Sequence, residues 1–249
     1  MSKTWAIGDV HGFSLALRRL LDEIEPQPDD TIVLLGDYVD RGPDSKGTLD
    51  RLMQLERECH TVFLRGNHED MMIALLEWEK NPHAGGFFQC LKRGLSGFLG
   101  IQGGVSKFHF SAWLALGGRQ TLGSFAPRIQ KVSQIPEKYL EFMIRTKLFY
   151  EDDKNIFVHA LYDPNLPMEE QTSEKLMWGR LTKGAPEPHF SGKTTYTGHS
   201  AQKNGEILDL GHFVCIDTYL YGGGWLTALE TSSKECLQID AGGRFRLSE

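Results

Sequence analysis

The sequence predicts an α/β fold, and three observations carry that expectation. Short β-type apolar runs alternate with stretches of helical periodicity across the first seventy-odd residues. Each of the first three runs opens into a glycine-flanked turn, and those turns carry Asp, His and Asn. Strand-like runs then resume beyond position 150 with more turns between them, which predicts a second, partly antiparallel sheet.

Residues 3–8 read as the first strand. Phe13, Leu17, Leu20, Leu21 and Ile24 follow at helical spacing, with Ser14 as the expected N-cap and Pro26 and Pro28 as the stop. Thr31 to Leu35 is β-branched and apolar, short enough for a buried strand. Leu49, Leu52 and Met53 mark a second helix, and Thr61 to Leu64 a third strand. In such a βαβαβ unit, ligand sites gather beyond the carboxyl ends of the strands, where all three turns lie. Met71 to Trp78 reads as a helix, and Pro136 to Phe149 as another. Between them stand Gly85-Gly86, Gly94, Gly97, Gly100 and Gly103-Gly104 amid many aromatics. We read about 81–150 as a mainly helical, cap-like insertion within a single domain covering 1–249, because the strand pattern resumes after it. Ile156 to Val158 ends at His159, and Thr194 to Thr197 ends at Gly198-His199-Ser200. Phe213 to Ile216, Leu226 to Leu229 and Leu237 to Ile239 are the remaining strand-like runs.

A chain of 249 residues buries one large core or two small ones. Its formal net charge of -6 argues against a general nucleic-acid or anionic-membrane binder. Cys59, Cys90, Cys215 and Cys236 show no Cys-x-x-Cys spacing, which disfavours a structural zinc or a redox pair. With no apolar leader and no run long enough to cross a bilayer, the expectation is a cytoplasmic protein, monomeric, with free thiols.

The turns read Gly8-Asp9-Val10-His11-Gly12, Gly36-Asp37-Tyr38-Val39-Asp40-Arg41-Gly42 and Arg65-Gly66-Asn67-His68-Glu69. With the two later histidines they offer six ligands of the types that borderline divalent metals accept: Asp9, His11, Asp37, Asn67, His159 and His199. Two such ions side by side need a carboxylate between them and otherwise neutral ligands, so that the site stays positive toward a phosphate. Two divalent ions, two aspartates and a hydroxide leave about +1, and two arginines raise that to about +3. An Asn ligand fits the same logic, since an amide oxygen adds no negative charge. One Gly-Asp dipeptide alone reads as an ordinary turn; three complete motifs in order, each after a strand, do not.

These segments resemble the Gly-Asp-x-His-Gly, Gly-Asp-x-Val-Asp-Arg-Gly and Gly-Asn-His-Glu motifs of the PPP-type serine/threonine phosphatases, within the calcineurin-like metallophosphoesterases. Val158-His159-Ala160 and Gly198-His199-Ser200 resemble that family's two later metal histidines. Met177-Trp178-Gly179-Arg180 resembles the segment with its second phosphate-binding arginine. Trp113-Leu114 through Gly117-Gly118 and Thr121-Leu122 is similar to the cap of small bacterial and phage-type members. The resemblance implies two mixed sheets packed as a sandwich with flanking helices. It implies one ion on Asp9, His11 and Asp37, and a second on Asp37, Asn67, His159 and His199. Asp37 then bridges, and manganese is the expected metal, with iron or zinc as alternatives. It further implies His68 as general acid oriented by Asp40, phosphate held by Arg41, Arg180 and Asn67, and in-line attack by a bridging hydroxide. Three positions depart from the pattern: Leu161, Ser200, and Tyr219-Leu220 after Ile216-Asp217-Thr218.

The implied activity is a phosphomonoesterase on phosphoserine or phosphothreonine in proteins, or on a phosphorylated small molecule. A dinucleoside polyphosphate hydrolase on the same scaffold is the alternative, and a non-catalytic binding module the remote one. Other features read more plainly. His60, His83, His109, His189 and His212 are expected to be structural. Glu69 either touches Arg41 or opens the following helix, and Arg65 supports the sheet edge. The Ser191-Gly192-Lys193-Thr194 run lacks the first glycine of a P-loop, which would fall at Glu187. The insertion is expected to wall the substrate groove, with Lys92, Arg93 and Arg119 as basic contacts.

Overall fold

The structure, a computed structural model, describes residues 2–81, 110–182 and 184–247. Strand β1 (Thr4–Ile7) pairs in parallel with β2 (Thr31–Leu34), and β2 with β3 (His60–Phe63). On the other side, β9 (Leu226–Glu230) pairs antiparallel with β1, and β10 (Cys236–Ile239) with β9. The second sheet has the order β4 (Phe149–Glu151), β5 (Asn155–Val158), β6 (Thr194–Thr197), β8 (Phe213–Cys215), β7 (Leu208–Asp209). Its inner strands β5, β6 and β8 are parallel and its edges antiparallel. This corrects the expected assignment of strands. The runs at 226–229 and 237–239 do not extend the second sheet; they close the first beside β1.

The strand period of two sorts the side chains. Ala6, Val33, Leu35, Val62 and Leu64 from one sheet meet Phe157, Tyr196, Val214 and Ile216 from the other in one buried cluster. At roughly 1.5–3 kcal/mol for each large apolar side chain fully buried, this layer holds the sheets face to face. The alternate residues of the first sheet, Trp5, Ile7, Ile32, Leu34 and Phe63, face helices instead. Those helices are α1 (Ser14–Ile24), α2 (Ser45–Leu55) and α3 (Asn67–Lys80).

Helix α1 buries Leu17, Leu20 and Leu21, as their spacing predicts. Its N-cap is Phe13 rather than Ser14, however; the Ser14 hydroxyl donates to Asp44 Oδ2 at 2.5 Å. Asp44 is the side chain that caps α2, accepting from Gly47 N. Glu25, left-handed at φ 46, ends α1 before Pro26. In the insertion, a π-type turn (Leu114–Gly118) runs into α4 (Arg119–Phe125), and α5 covers Glu137–Ile144. The expected helix 136–149 therefore stops early, and Phe149 begins β4 against Val158. Phe149 and Tyr150 find cross-strand partners there, which outweighs helical spacing. Helix α6 (Ser173–Trp178) packs beside α3. Among the described residues Cys59, Cys215 and Cys236 are free thiols, and no helix is long and apolar enough to cross a membrane.

Candidate active site

All the singled-out turns leave the carboxyl ends of strands from both sheets. Asp9 and His11 follow β1, while Asp37, Asp40 and Arg41 follow β2. Asn67 and His68 open α3 after β3, His159 follows β5, and His199 follows β6. Backbone bonds lock the first two turns together: Val10 N and His11 N donate to Asp37 O, Gly12 N to Tyr38 O, and Gly42 N to His11 O. Asp37, Asp40, Arg41 and His199 all hold positive φ, a costly backbone region outside glycine.

Asp37 stands at the centre. Its Oδ2 lies 3.5 Å from His11 Nε2, and its Oδ1 lies 3.5 Å from His159 Nε2. His11, Asp37 and His68 form one set of potential ligand atoms within 4.8 Å, and Asp37, His159 and His199 form another. Asn67 Oδ1 joins the second set, 3.1 Å from His159 Nε2 and 2.9 Å from His199 Nδ1. Asp9 is buried beside it and accepts from His199 N at 3.1 Å and 3.2 Å.

The donor set fits a pair of divalent cations. His11 Nδ1 bonds Val39 O at 3.0 Å, and His159 Nδ1 bonds Leu35 O at 2.7 Å. A carbonyl on Nδ1 fixes that proton and leaves the Nε2 lone pair aimed inward, as ligation requires. Burial pushes the His11, His159 and His199 imidazoles down, His199 to about 3, so all three are neutral at neutral pH, the form a metal ligand must take. Burial alone would raise Asp37, but the rings of His159, His68, His11 and His199, charged in the acid range where the carboxyl titrates, outweigh it and hold the carboxyl well below its usual range. Asp9 is raised by burial, then by Asp217 and Asp37, a like-charge crowding that cations relieve.

Next to these sets, His68 Nδ1 donates to Asp40 Oδ2 at 2.7 Å, with both side chains buried. Burial lowers His68, yet Asp37 and Asp40 outweigh it, so its imidazole is raised above the ordinary value. With Nδ1 committed to Asp40, Nε2 is the ring atom left for other partners. Arg41 lies across the opening, with Nη1 3.0 Å from His11 Nε2 and Nη2 3.2 Å from His68 Nε2. A cleft of about 540 Å³ opens above, lined by Arg41, Asn67, His68, Arg180, Lys203 and Tyr221 among others. Trp178, just before Arg180, donates Nε1 to Asp70 Oδ2 on α3 and so ties that segment to the cleft.

Two contributors were legible only in part. Glu69 takes the second of its two expected places, opening α3 in its first turn, and among the described residues makes no hydrogen bond to Arg41. Its buried carboxylate accepts from Asp37 N and Tyr38 N at 2.8 Å, Gly66 N at 3.0 Å and Val39 N at 3.3 Å. It thus fastens the Asp37 turn to the start of α3; its place at N3 of that helix was the available signal. Tyr221 sits in the turn that departs from the expected pattern, its ring 3.8 Å from the Arg41 guanidinium. Of the expected basic contacts, Lys92 and Arg93 lie outside the described residues. Arg119 is exposed at the start of α4, and Leu116 is the described insertion residue that reaches the cleft. His60, His189 and His212 bond Thr31, Ser191 and Pro186 respectively, while His83 and His109 lie outside the described residues. Arg65 bonds Ile144 O, Thr146 O and Thr146 Oγ1 at the sheet edge.

Gly66 gives a direct test of the packing. A Cβ there would stand 2.1 Å from Asp37 Oδ1 and 2.4 Å from Asp37 N. Gly66→Ala is therefore expected to displace Asp37, costing about 1–3 kcal/mol as an overpacking change and most of the metal affinity. Metal titration and a thermal melt check it; unchanged binding would mean that Asp37 does not hold metal.

Imidazoles held neutral, a low-lying carboxylate, a buried His68–Asp40 pair and two arginines gather on one cleft, a donor set that suits a pair of divalent cations. The chain belongs to the calcineurin-like phosphoesterase family, which matches residues 2–199. That family depends on two metal ions, and the two ligand sets sharing Asp37 match the requirement. The chain is 45% identical over 71 residues to serine/threonine-protein phosphatase 1 of Salmonella typhimurium, covering 28% of this chain and 31% of that one. It is 38% identical over 79 residues to the symmetrical bis(5'-nucleosyl)-tetraphosphatase of Paracidovorax citrulli, covering 31% and 28%. The chain thus spans about a third or less of each of these relatives. A crystal structure provisionally named as a diadenosine tetraphosphatase superposes with a TM-score of 0.63 at 18% identity, covering 96% of this chain and 93% of that one, a likeness of fold.

Proposed function

We propose that the protein hydrolyses phosphomonoesters of alkyl alcohols, with phosphoserine and phosphothreonine in proteins as the substrate class. The observation that carries this reading is the buried His68–Asp40 pair at 2.7 Å beside the metal-ligand sets. An alkoxide is a poor leaving group and needs a proton as the bond breaks, whereas an aryloxide or a nucleoside diphosphate leaves with far less help. A site that invests a buried acid is built for the harder departure.

Asp9, His11 and Asp37 would hold one ion, and Asp37, Asn67, His159 and His199 the other, with manganese the proposed metal. When bound, the ions supply positive charge to the phosphate and a water acidic enough to attack phosphorus. The chain's own residues do the rest. Arg41 and Arg180 orient the phosphate oxygens, where a planar guanidinium can engage two at once. His68 gives its Nε2 proton to the departing oxygen, and Asp40 holds the ring for that transfer.

A second reading is favoured by one observation. Lys203 and Arg180 share the cleft with Arg41, beside the rings of Tyr221 and Trp178, an arrangement that also suits a polyphosphate chain and a base. The named activity of the Paracidovorax relative supports the same alternative. A substrate panel separates the two. Purified, manganese-loaded protein is expected to turn over a phosphoserine peptide with a higher kcat/KM than a dinucleoside tetraphosphate, by about tenfold or more. The reverse order would replace the first reading with the second.

A further inference from the structure

The insertion does more than stand beside the cleft. Asp40 is fully buried, and among the described residues its carboxylate has three side-chain partners, of which His68 is one. Trp113 Nε1 donates to Asp40 Oδ2 at 2.8 Å, so that oxygen takes both the indole and the imidazole N–H. Thr121 Oγ1 donates to Asp40 Oδ1 at 2.6 Å and accepts from Asp40 N at 2.9 Å. Ser45 Oγ lies 3.0 Å from Thr121 Oγ1 and 3.1 Å from Asp40 N. The single hydroxyl proton of Thr121 goes to Asp40, so Ser45 must donate to Thr121. All these groups are closed off from bulk solvent, with Trp113 1% exposed and Thr121, Ser45 and Asp40 0%, while His68 lines the cleft.

The same segment meets the next residue. Asp40 and Arg41 are consecutive non-glycine residues at φ 71 and φ 68. Such a pair persists only where its surroundings over-determine it. Gly117, at φ 121, comes so close that a Cβ would lie 2.2 Å from Arg41 N and 2.9 Å from Asp40 Cβ. The π-type turn Leu114–Gly118 provides that approach, and Leu116 within it faces the cleft.

We propose that Trp113, Gly117 and Thr121 form a brace that positions the acid dyad and the Arg41 backbone, with Trp113 and Thr121 acting through Asp40 as positioning residues for proton donation by His68. Each holds one carboxylate oxygen. Together they leave Asp40 one orientation, so the His68 ring has one as well. The insertion thereby sets which leaving groups the site can expel: with the brace loosened, esters that need protonation fail while esters of acidic alcohols still react. This rests on the reading of His68 as the acid.

The test uses the full chain loaded with manganese and two substrates, a phosphoserine peptide and p-nitrophenyl phosphate. Thr121→Val keeps the volume but leaves Asp40 Oδ1, Asp40 N and the Ser45 hydroxyl short of partners. Trp113→Phe keeps an aromatic ring and removes the N–H. Each is expected to lower kcat on the peptide by about 10- to 100-fold, the scale of a lost hydrogen bond to a charged group, with KM little changed. On p-nitrophenyl phosphate the loss should stay within about threefold, because that leaving group needs little protonation. Thr121→Ser should recover most of the peptide activity, since it restores the hydroxyl. If Thr121→Val does not fold, Trp113→Phe and Thr121→Ser still decide the matter. Equal losses on both substrates, or none on either, would overturn the brace. His68→Asn is run alongside: if it too fails to discriminate between the substrates, the acid assignment falls, whereas a selective His68→Asn beside non-selective brace variants sinks this proposal alone.

Discussion

His68→Asn is expected to lower kcat on a phosphoserine peptide by roughly 10²- to 10⁴-fold, the range for loss of a general acid, with two ions still bound. The side chain is buried, so an isosteric amide is the appropriate replacement: it can keep a contact to Asp40 but cannot deliver a proton. Asp40→Asn should cost a comparable amount for a different reason. It removes the negative charge that, with Asp37, keeps the imidazole raised, and it offers Nδ1 a weaker acceptor. Because the two residues act as one unit, the double variant should fall no further than the worse single variant. Steady-state kinetics on all three proteins, with metal content measured on each, provides the check. A double-variant loss equal to the product of the two single losses would mean that the residues act independently, and the dyad would have to be abandoned.

Much of this site could be read from the sequence because its parts are local. Asp9 with His11, Asp37 with Asp40 and Arg41, and Asn67 with His68 each travel within one tight turn, so a few consecutive residues carry both the chemistry and the glycines that permit it. The strands were equally plain, since β-branched apolar runs of four or five residues leave little choice. The failures have a common physical origin in contacts between residues far apart in the chain. Nothing local says whether 226–229 joins the second sheet or returns to β1, because either neighbour satisfies the same ladder. Phe149 continues a helical spacing but is taken by Val158 on β5. Ser14 has the chemistry of an N-cap, yet Asp44, thirty positions on, takes its hydroxyl. Glu69 was readable as the opening of α3 but not as the fastener of the Asp37 turn, and Tyr221 not at all: their partners, the amides of 37–39 and the guanidinium of Arg41, are supplied by another turn. Trp113 and Thr121 could be picked out as a pattern, but only the fold reveals that both end on Asp40.

Asp37→Asn is expected to abolish two-metal binding and, with it, turnover on every substrate, by roughly 10³-fold or more if each lost Lewis-acid contact is worth several kcal/mol. The substitution isolates charge from shape. Asp37 holds φ 52, a backbone region that asparagine tolerates, and its Oδ1 would still accept from His68 N, now at 3.1 Å. What changes is the ability to serve two cations. In the wild-type chain, one carboxylate offers an oxygen to each side, 3.5 Å from His11 and 3.5 Å from His159. An amide offers one oxygen and a hydrogen-bearing nitrogen, so at most one ion keeps its ligand. Chelation of the wild-type protein should give the same loss, reversed by Mn²⁺, and the ions should raise its melting temperature, since a ligand held by the folded state alone stabilises that state. Asp37→Asn should show little of that rise. The decisive measurement is metal stoichiometry, by elemental analysis after dialysis, compared with His159→Ala. If Asp37 bridges, its loss must affect both ions, whereas His159→Ala should spare the ion on the His11 side. Two ions retained by Asp37→Asn, or a full melting-temperature response to Mn²⁺, would remove Asp37 from the centre of the site and the shared-ligand arrangement with it.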